Sequence, residues 1–209
     1  MGDDVWAMVH AERAALIADL EGVDAARWDE PSLCPGWSVH DVVAHLVDTA
    51  RTTRLGFVVA MARAGFDFDR QNAHGVARER GASPAQTLER LRAVARRTSI
   101  PPAPRDSRLV EEVVHGEDIR RPLGIEHDYP VAALTRLAEY YQGTDQVVLA
   151  KGRIQGLRLV ATDGPFTTGA GPLVTGTTLA LIMAMVGREA FHADLAGEGV
   201  KALASATAR

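Results

Sequence analysis

Glu111 and His115 stand four residues apart in EEVVHGEDIRRPLG, and a third candidate ligand, His45, lies in the earlier segment SVHDVVAHLVDTAR. Four residues of α-helix rise about 6 Å and complete slightly more than a full turn, so the side chains of Glu111 and His115 share one face and can converge on one ion. Two histidines and one carboxylate form a zinc set that leaves a coordination position open for water or substrate. Asp118, on the same face one turn after His115, reads either as a group that orients a histidine from behind or as a solvated or ion-paired carboxylate. Glu112 points about 100° away from Glu111 and is expected in solvent.

These residues need helices to carry them. Val5, Met8, Val9, Leu16 and Leu20 recur at mostly helical spacing over residues 4–21, which end at Gly22. The loop WDEPSLCPGW follows, and then Ser38 with Asp41 three residues on, a relative of the capping box that marks a helix start. That helix is predicted to run to about Ala64, burying Val39, Val42, Val43, Leu46 and Ala50, with His45 on the flank of the stripe. Residues 68–80 read as a short helix or a crossover, and Ser83-Pro84 opens another helix that SIPPAPRDS ends. The ligand helix is expected over 107–121, stopped by Pro122 and Gly124, and a fifth helix over 130–149.

After Gly152 the pattern changes. GLRLVATD reads as a strand, Asp163-Gly164-Pro165 as a turn, FTTGAGPLVTG as one or two short strands, TTLALIMAMVGR as a helix, and the tail as helical in pieces. The expected class is mainly α: a helical bundle over 1–152 with a small α/β unit over 153–209, a stretch too short for a robust core of its own. TTGAGP lacks the Lys-Ser/Thr ending of a phosphate-binding loop.

Composition narrows the function classes. The 209 residues are 46% hydrophobic and 24% charged, as in an ordinary globular protein. No apolar run approaches the roughly 18 residues of a membrane span, and the start lacks the basic and apolar regions of a signal peptide, so a cytoplasmic location is expected. A net charge of -4 and the lack of a basic recognition helix argue against nucleic-acid binding. Arg96/Arg97 and Arg120/Arg121 read as solvated helix faces. Cys34 is the single cysteine, so metal binding falls to His and carboxylates. It sits in a loop with no His at useful local spacing and reads as a packing residue. Trp28 and Trp37, flanking that loop, read as clamps on the bundle; His10, His40, His74, His127 and His192 read as surface or structural.

The run SLCPGWSVHDVVAHLVDTAR, followed by EEVVHGEDIRRPLG and later by a Gly-Arg at Gly187-Arg188, resembles the mycothiol-dependent maleylpyruvate isomerase family, whose N-terminal part belongs to the broader DinB-like four-helix metal-binding group. The resemblance covers most of the chain, strongest over residues 28–55 and 107–124 and looser after residue 152. The family's ligands fall on His45, Glu111 and His115. The resemblance implies a bundle-bound divalent metal, usually zinc, and mycothiol as thiol cosubstrate. It also implies thiolate addition to an electrophilic small molecule, ending in isomerisation or in S-transfer. Arg188 resembles an arginine that in the family is thought to meet a substrate carboxylate, a role its planar fork suits; a helix-terminal arginine facing the dipole is the other reading. A metal-containing binding protein without turnover is the alternative function, and a monomer or a homodimer would serve either.

Overall fold

The computed structural model describes residues 2–146 and 148–207, which form two compact units, residues 1–127 and 128–209. The first contains α1 (Gly2–Glu21), a 3-10 turn (Ala25–Asp29), α2 (Val39–Arg51), α3 (Arg54–Arg63), α4 (Phe68–Glu79), α5 (Pro84–Val94) and α6 (Asp106–Leu123). Helices α1, α2, α5 and α6 make the four-helix bundle, and α4 packs against α2. Leu16, Leu20, Val42, Val43, Leu46, Leu91 and Ile119 form its core together with Trp28.

Local chemistry sets the helix ends. Ser38 and Asp41 make a reciprocal capping box at the start of α2, with Ser38 N–H donating to Asp41 Oδ2 at 3.0 Å and Asp41 N–H to Ser38 Oγ at 3.3 Å. Ser83 caps α5, with Pro84 in its first turn. Helix α6 runs through Pro122, which has no N–H for the Asp118 carbonyl four residues back; Leu33 N–H donates to that carbonyl instead, at 3.1 Å, and the helix stops at Gly124, in the left-handed conformation with φ 67°.

The expected long helix over 39–64 is two helices. Thr52 is extended, and its Oγ1–H donates to Asp48 O at 2.8 Å; Thr53 then caps α3, accepting from Gly56 N–H at 3.1 Å. Consecutive threonine hydroxyls offer the backbone an alternative to the helical ladder, and the chain takes it. No residue of α3 is buried. The ambiguous segment 68–80 is helical as α4.

The second unit holds α7 (Val131–Gln142), α8 (Ala150–Arg153), β1 (Arg158–Ala161), β2 (Thr167–Gly169), β3 (Leu173–Gly176), α9 (Thr178–Met185), a 3-10 turn (Glu189–Asp194) and α10 (Val200–Thr207). Strand β1 is central, antiparallel to β2 and parallel to β3, with Leu159 opposite Val174. Helix α9 is buried along its length and packs on α7. That contact groups α7 with the sheet, so the division falls at His127/Asp128, where the pattern change in the sequence suggests residue 152. The fifth helix ends at Gln142, short of residue 149; of the expected segments, Val147, Ala208 and Arg209 lie outside the described residues.

Candidate metal centre

Helix α2 brings His45 and helix α6 brings Glu111 and His115 to one point in the bundle. Glu111 Oε2 lies 3.3 Å from His45 Nε2 and 3.5 Å from His115 Nε2. The two imidazoles stand nearly perpendicular, 81° apart, with centroids separated by 4.9 Å. One donor atom from each residue falls within 4.8 Å of the others. A tetrahedral zinc with ligand distances of about 2.0–2.2 Å has ligand-to-ligand edges of about 3.3–3.6 Å, so the two Glu111 contacts match edges of such a polyhedron. Glu111 Oε2 and His45 Nδ1 are buried without a hydrogen bond. An unsatisfied buried carboxylate oxygen is costly, and a cation between the two Nε2 atoms would remove that cost. The residues fit a divalent ion.

The electrostatics point the same way. Burial alone would raise the Glu111 pKa, but His45, Arg108 and His115 outweigh it and hold the carboxyl well below the usual carboxylate range. The group is therefore an anionic ligand at neutral pH. His115 Nδ1 lies 2.9 Å from Asp118 Oδ2, and Asp118 is fully buried. An ionised carboxylate can only accept, so this contact keeps the His115 proton on Nδ1 and leaves the Nε2 lone pair toward Glu111.

The loop between the 3-10 turn and α2 forms a wall of the centre. Leu33 N–H donates to Asp118 O at 3.1 Å, pinning the loop to α6. Ser32 Oγ–H donates to Trp37 O at 2.8 Å and Ser32 Oγ accepts from Cys34 N–H at 3.1 Å, which closes the turn. Trp37 packs on the His45 ring, centroids 5.0 Å apart, while Trp28 is deep in the core.

Cys34 belongs to this neighbourhood, contrary to the expectation from its sequence surroundings. Its sulfur forms a second group with a His115 nitrogen and an Asp118 oxygen, all within 4.8 Å. The two groups share His115. With Nδ1 engaged by Asp118, Nε2 is the available donor, and that favours the set with His45 and Glu111.

Two charged residues read as solvated are buried instead. Glu112 is 2% exposed and pairs with Arg13 at 2.8 Å, because an adjoining side of α6 packs on α1. Arg120 is 0% exposed, and its Nε–H donates to Asp19 at 2.8 Å. His40 is also buried, 2.6 Å from Thr87 Oγ1 and edge-on to Trp28. Arg188 lies in the second unit just beyond α9, where its Nη1–H donates to Val186 O at 3.3 Å, the contact of a helix-terminal arginine.

Residues 9–107 match the family model described as the mycothiol maleylpyruvate isomerase N-terminal domain. Over those residues the chain is similar to that domain. The match includes His45 and ends four residues before Glu111. Two solved structures share the fold: a crystal structure of the mycothiol-dependent maleylpyruvate isomerase, with TM-score 0.63 and 18% identity, and one of a histidine-to-alanine mutant of that enzyme, with TM-score 0.62 and 17% identity. Each superposition covers 94% of this chain and 92% of the other. No curated protein matches the sequence. The maleylpyruvate isomerase fold thus extends through the second unit. Among the described residues no helix is long and apolar enough to cross a membrane.

Proposed function

We propose that this protein is a metal-dependent thiol enzyme that uses mycothiol on an electrophilic small molecule, as an isomerase of the maleylpyruvate isomerase type or as an S-transferase. The observation that carries the reading is Glu111 Oε2, buried without a hydrogen bond between the Nε2 atoms of two histidines. A divalent ion, zinc by the donor set, would lower the pKa of a coordinated thiol enough to deprotonate it near neutral pH. The chain's own residues do the rest. His45, Glu111 and His115 supply three ligands and leave a fourth position for the thiol. Asp118 holds the His115 tautomer, and Trp37 covers one side of His45. In this reading Arg188 receives a substrate carboxylate.

Calorimetry of mycothiol binding to zinc-loaded protein, in buffers of different ionisation enthalpy, tests the thiol step. Direct thiolate binding releases a proton at neutral pH, so the heats should differ among buffers. Equal heats, or equal affinity for metal-free protein, would rule out direct coordination. A panel of electrophiles that includes maleylpyruvate then separates the reactions: transfer consumes the thiol, whereas isomerisation returns it. A protein that binds thiol and metal yet turns over no electrophile in the panel would be a binding protein.

A further inference from the structure

Arg108 is 3% exposed, on the first turn of α6, one turn before Glu111. Its Nη1–H donates to Thr49 O at 2.9 Å, and its Nη2 lies 4.0 Å from Glu111 Oε1. A buried guanidinium needs compensation, and three features supply it. Thr49 is among the last residues of α2, where its carbonyl holds only the 3.2 Å bond from the capping Thr52 N–H, leaving a lone pair for Arg108, and the helix end carries partial negative charge. Glu111 is the second feature, and the third is the electrostatic contact of Arg108 with buried Glu112.

The arrangement has a consequence for the centre. Thr49 lies one turn beyond His45 on α2, so one planar side chain ties the helix that carries His45 to the helix that carries Glu111 and His115. It does so on the Oε1 side of Glu111, opposite the oxygen aimed at the two imidazoles. We propose that Arg108 is a positioning residue that presents Glu111 as a one-oxygen ligand, by drawing Oε1 electrostatically away from the metal position and fixing the spacing of the two ligand helices through its bond to Thr49 O. This rests on the metal reading above. Without Arg108, the Glu111 carboxylate could rotate to offer both oxygens, and the coordination number would rise.

Affinity alone is not the readout, since removing a cation also removes repulsion toward a divalent ion. Cobalt(II) reports the coordination number directly, because four-coordinate cobalt absorbs strongly in the visible and five- or six-coordinate cobalt weakly. The wild-type protein loaded with cobalt should show the strong four-coordinate band. Arg108→Gln should take up one equivalent of cobalt with the band reduced several-fold, and cobalt-loaded Glu111→Gln should not change further when Arg108→Gln is added. An Arg108→Gln spectrum identical to wild type overturns the positioning role while leaving the metal reading intact. If Arg108→Gln does not fold, the wild-type spectrum decides, and a weak high-coordinate band there refutes one-oxygen ligation. Failure of the wild type to bind cobalt or zinc removes the metal reading, and the role of Arg108 with it.

Discussion

Asp118→Asn isolates the contact behind His115 while keeping size and shape. In the folded protein the His115 ring donates across 2.9 Å to a carboxylate with no solvent exposure. A hydrogen bond to a charged partner contributes about 1.5–3 kcal/mol and a neutral one about 0.5–1.5 kcal/mol. The exchange should therefore cost about 1–1.5 kcal/mol, or roughly 5- to 12-fold in metal affinity at about 1.4 kcal/mol per tenfold. This is near the lower end of the roughly 10- to 100-fold expected when a group behind a metal ligand is lost. Asp118 also accepts Leu33 N–H through its backbone oxygen, a contact the substitution leaves in place, so the loop that carries Cys34 and Trp37 should stay docked. The assay is competition for zinc against a chromophoric chelator, with a thermal melt of metal-free protein alongside. An affinity within twofold of wild type would show that Asp118 does not orient His115. A large affinity loss accompanied by an equally large fall in metal-free stability would show that its role is structural.

Other expectations follow from the same geometry. His115→Ala should abolish stoichiometric zinc binding by elemental analysis; one ion per chain retained at wild-type affinity would remove Glu111 and His115 from the site. Arg13→Met leaves Glu112 buried opposite an apolar group and should destabilise the fold by about 3–5 kcal/mol in urea unfolding, whereas Arg13→Met combined with Glu112→Met should recover much of the loss. Burial, and secondarily Arg80, holds the His40 pKa below its ordinary value of 6.5, so the native state favours the neutral ring. Its contribution to stability is present above that value and is lost as pH falls below it, with a limiting slope of about 1.4 kcal/mol per pH unit. His40→Gln should remove that component from the pH dependence of unfolding. Arg188→Ala should cost about 1.5–3 kcal/mol in transition-state binding of a carboxylate-bearing electrophile if a charge-assisted bond is lost; unchanged kcat and KM would leave Arg188 as a cap on α9.

Much of the bundle was legible because its signals are local. Ser38 with Asp41, Ser83 with Pro84, and Gly124 act on backbone groups within a few residues, and the structure places helix ends at each. The 3.6-residue period likewise puts Glu111, His115 and Asp118 on one face whatever surrounds the helix. Thr52 and Thr53 were also a local signal, and their hydroxyls decided the break between α2 and α3 against an apolar pattern that runs on.

The chain's own order could not say what faces each helix. Helix α6 packs against α1 on one side and α2 on another, so Glu112, about 100° around from Glu111, meets Arg13 across a sequence separation of 99 and is buried. Arg120 is buried against Asp19 for the same reason. Cys34 has no histidine at useful local spacing in the sequence, yet the backbone bond from Leu33 to Asp118 brings it beside His115. Periodicity determines which side chains share a helix face. Only the packing of distant segments decides which faces lose their water, and with it which carboxylates are solvated and which are buried against a partner from another helix.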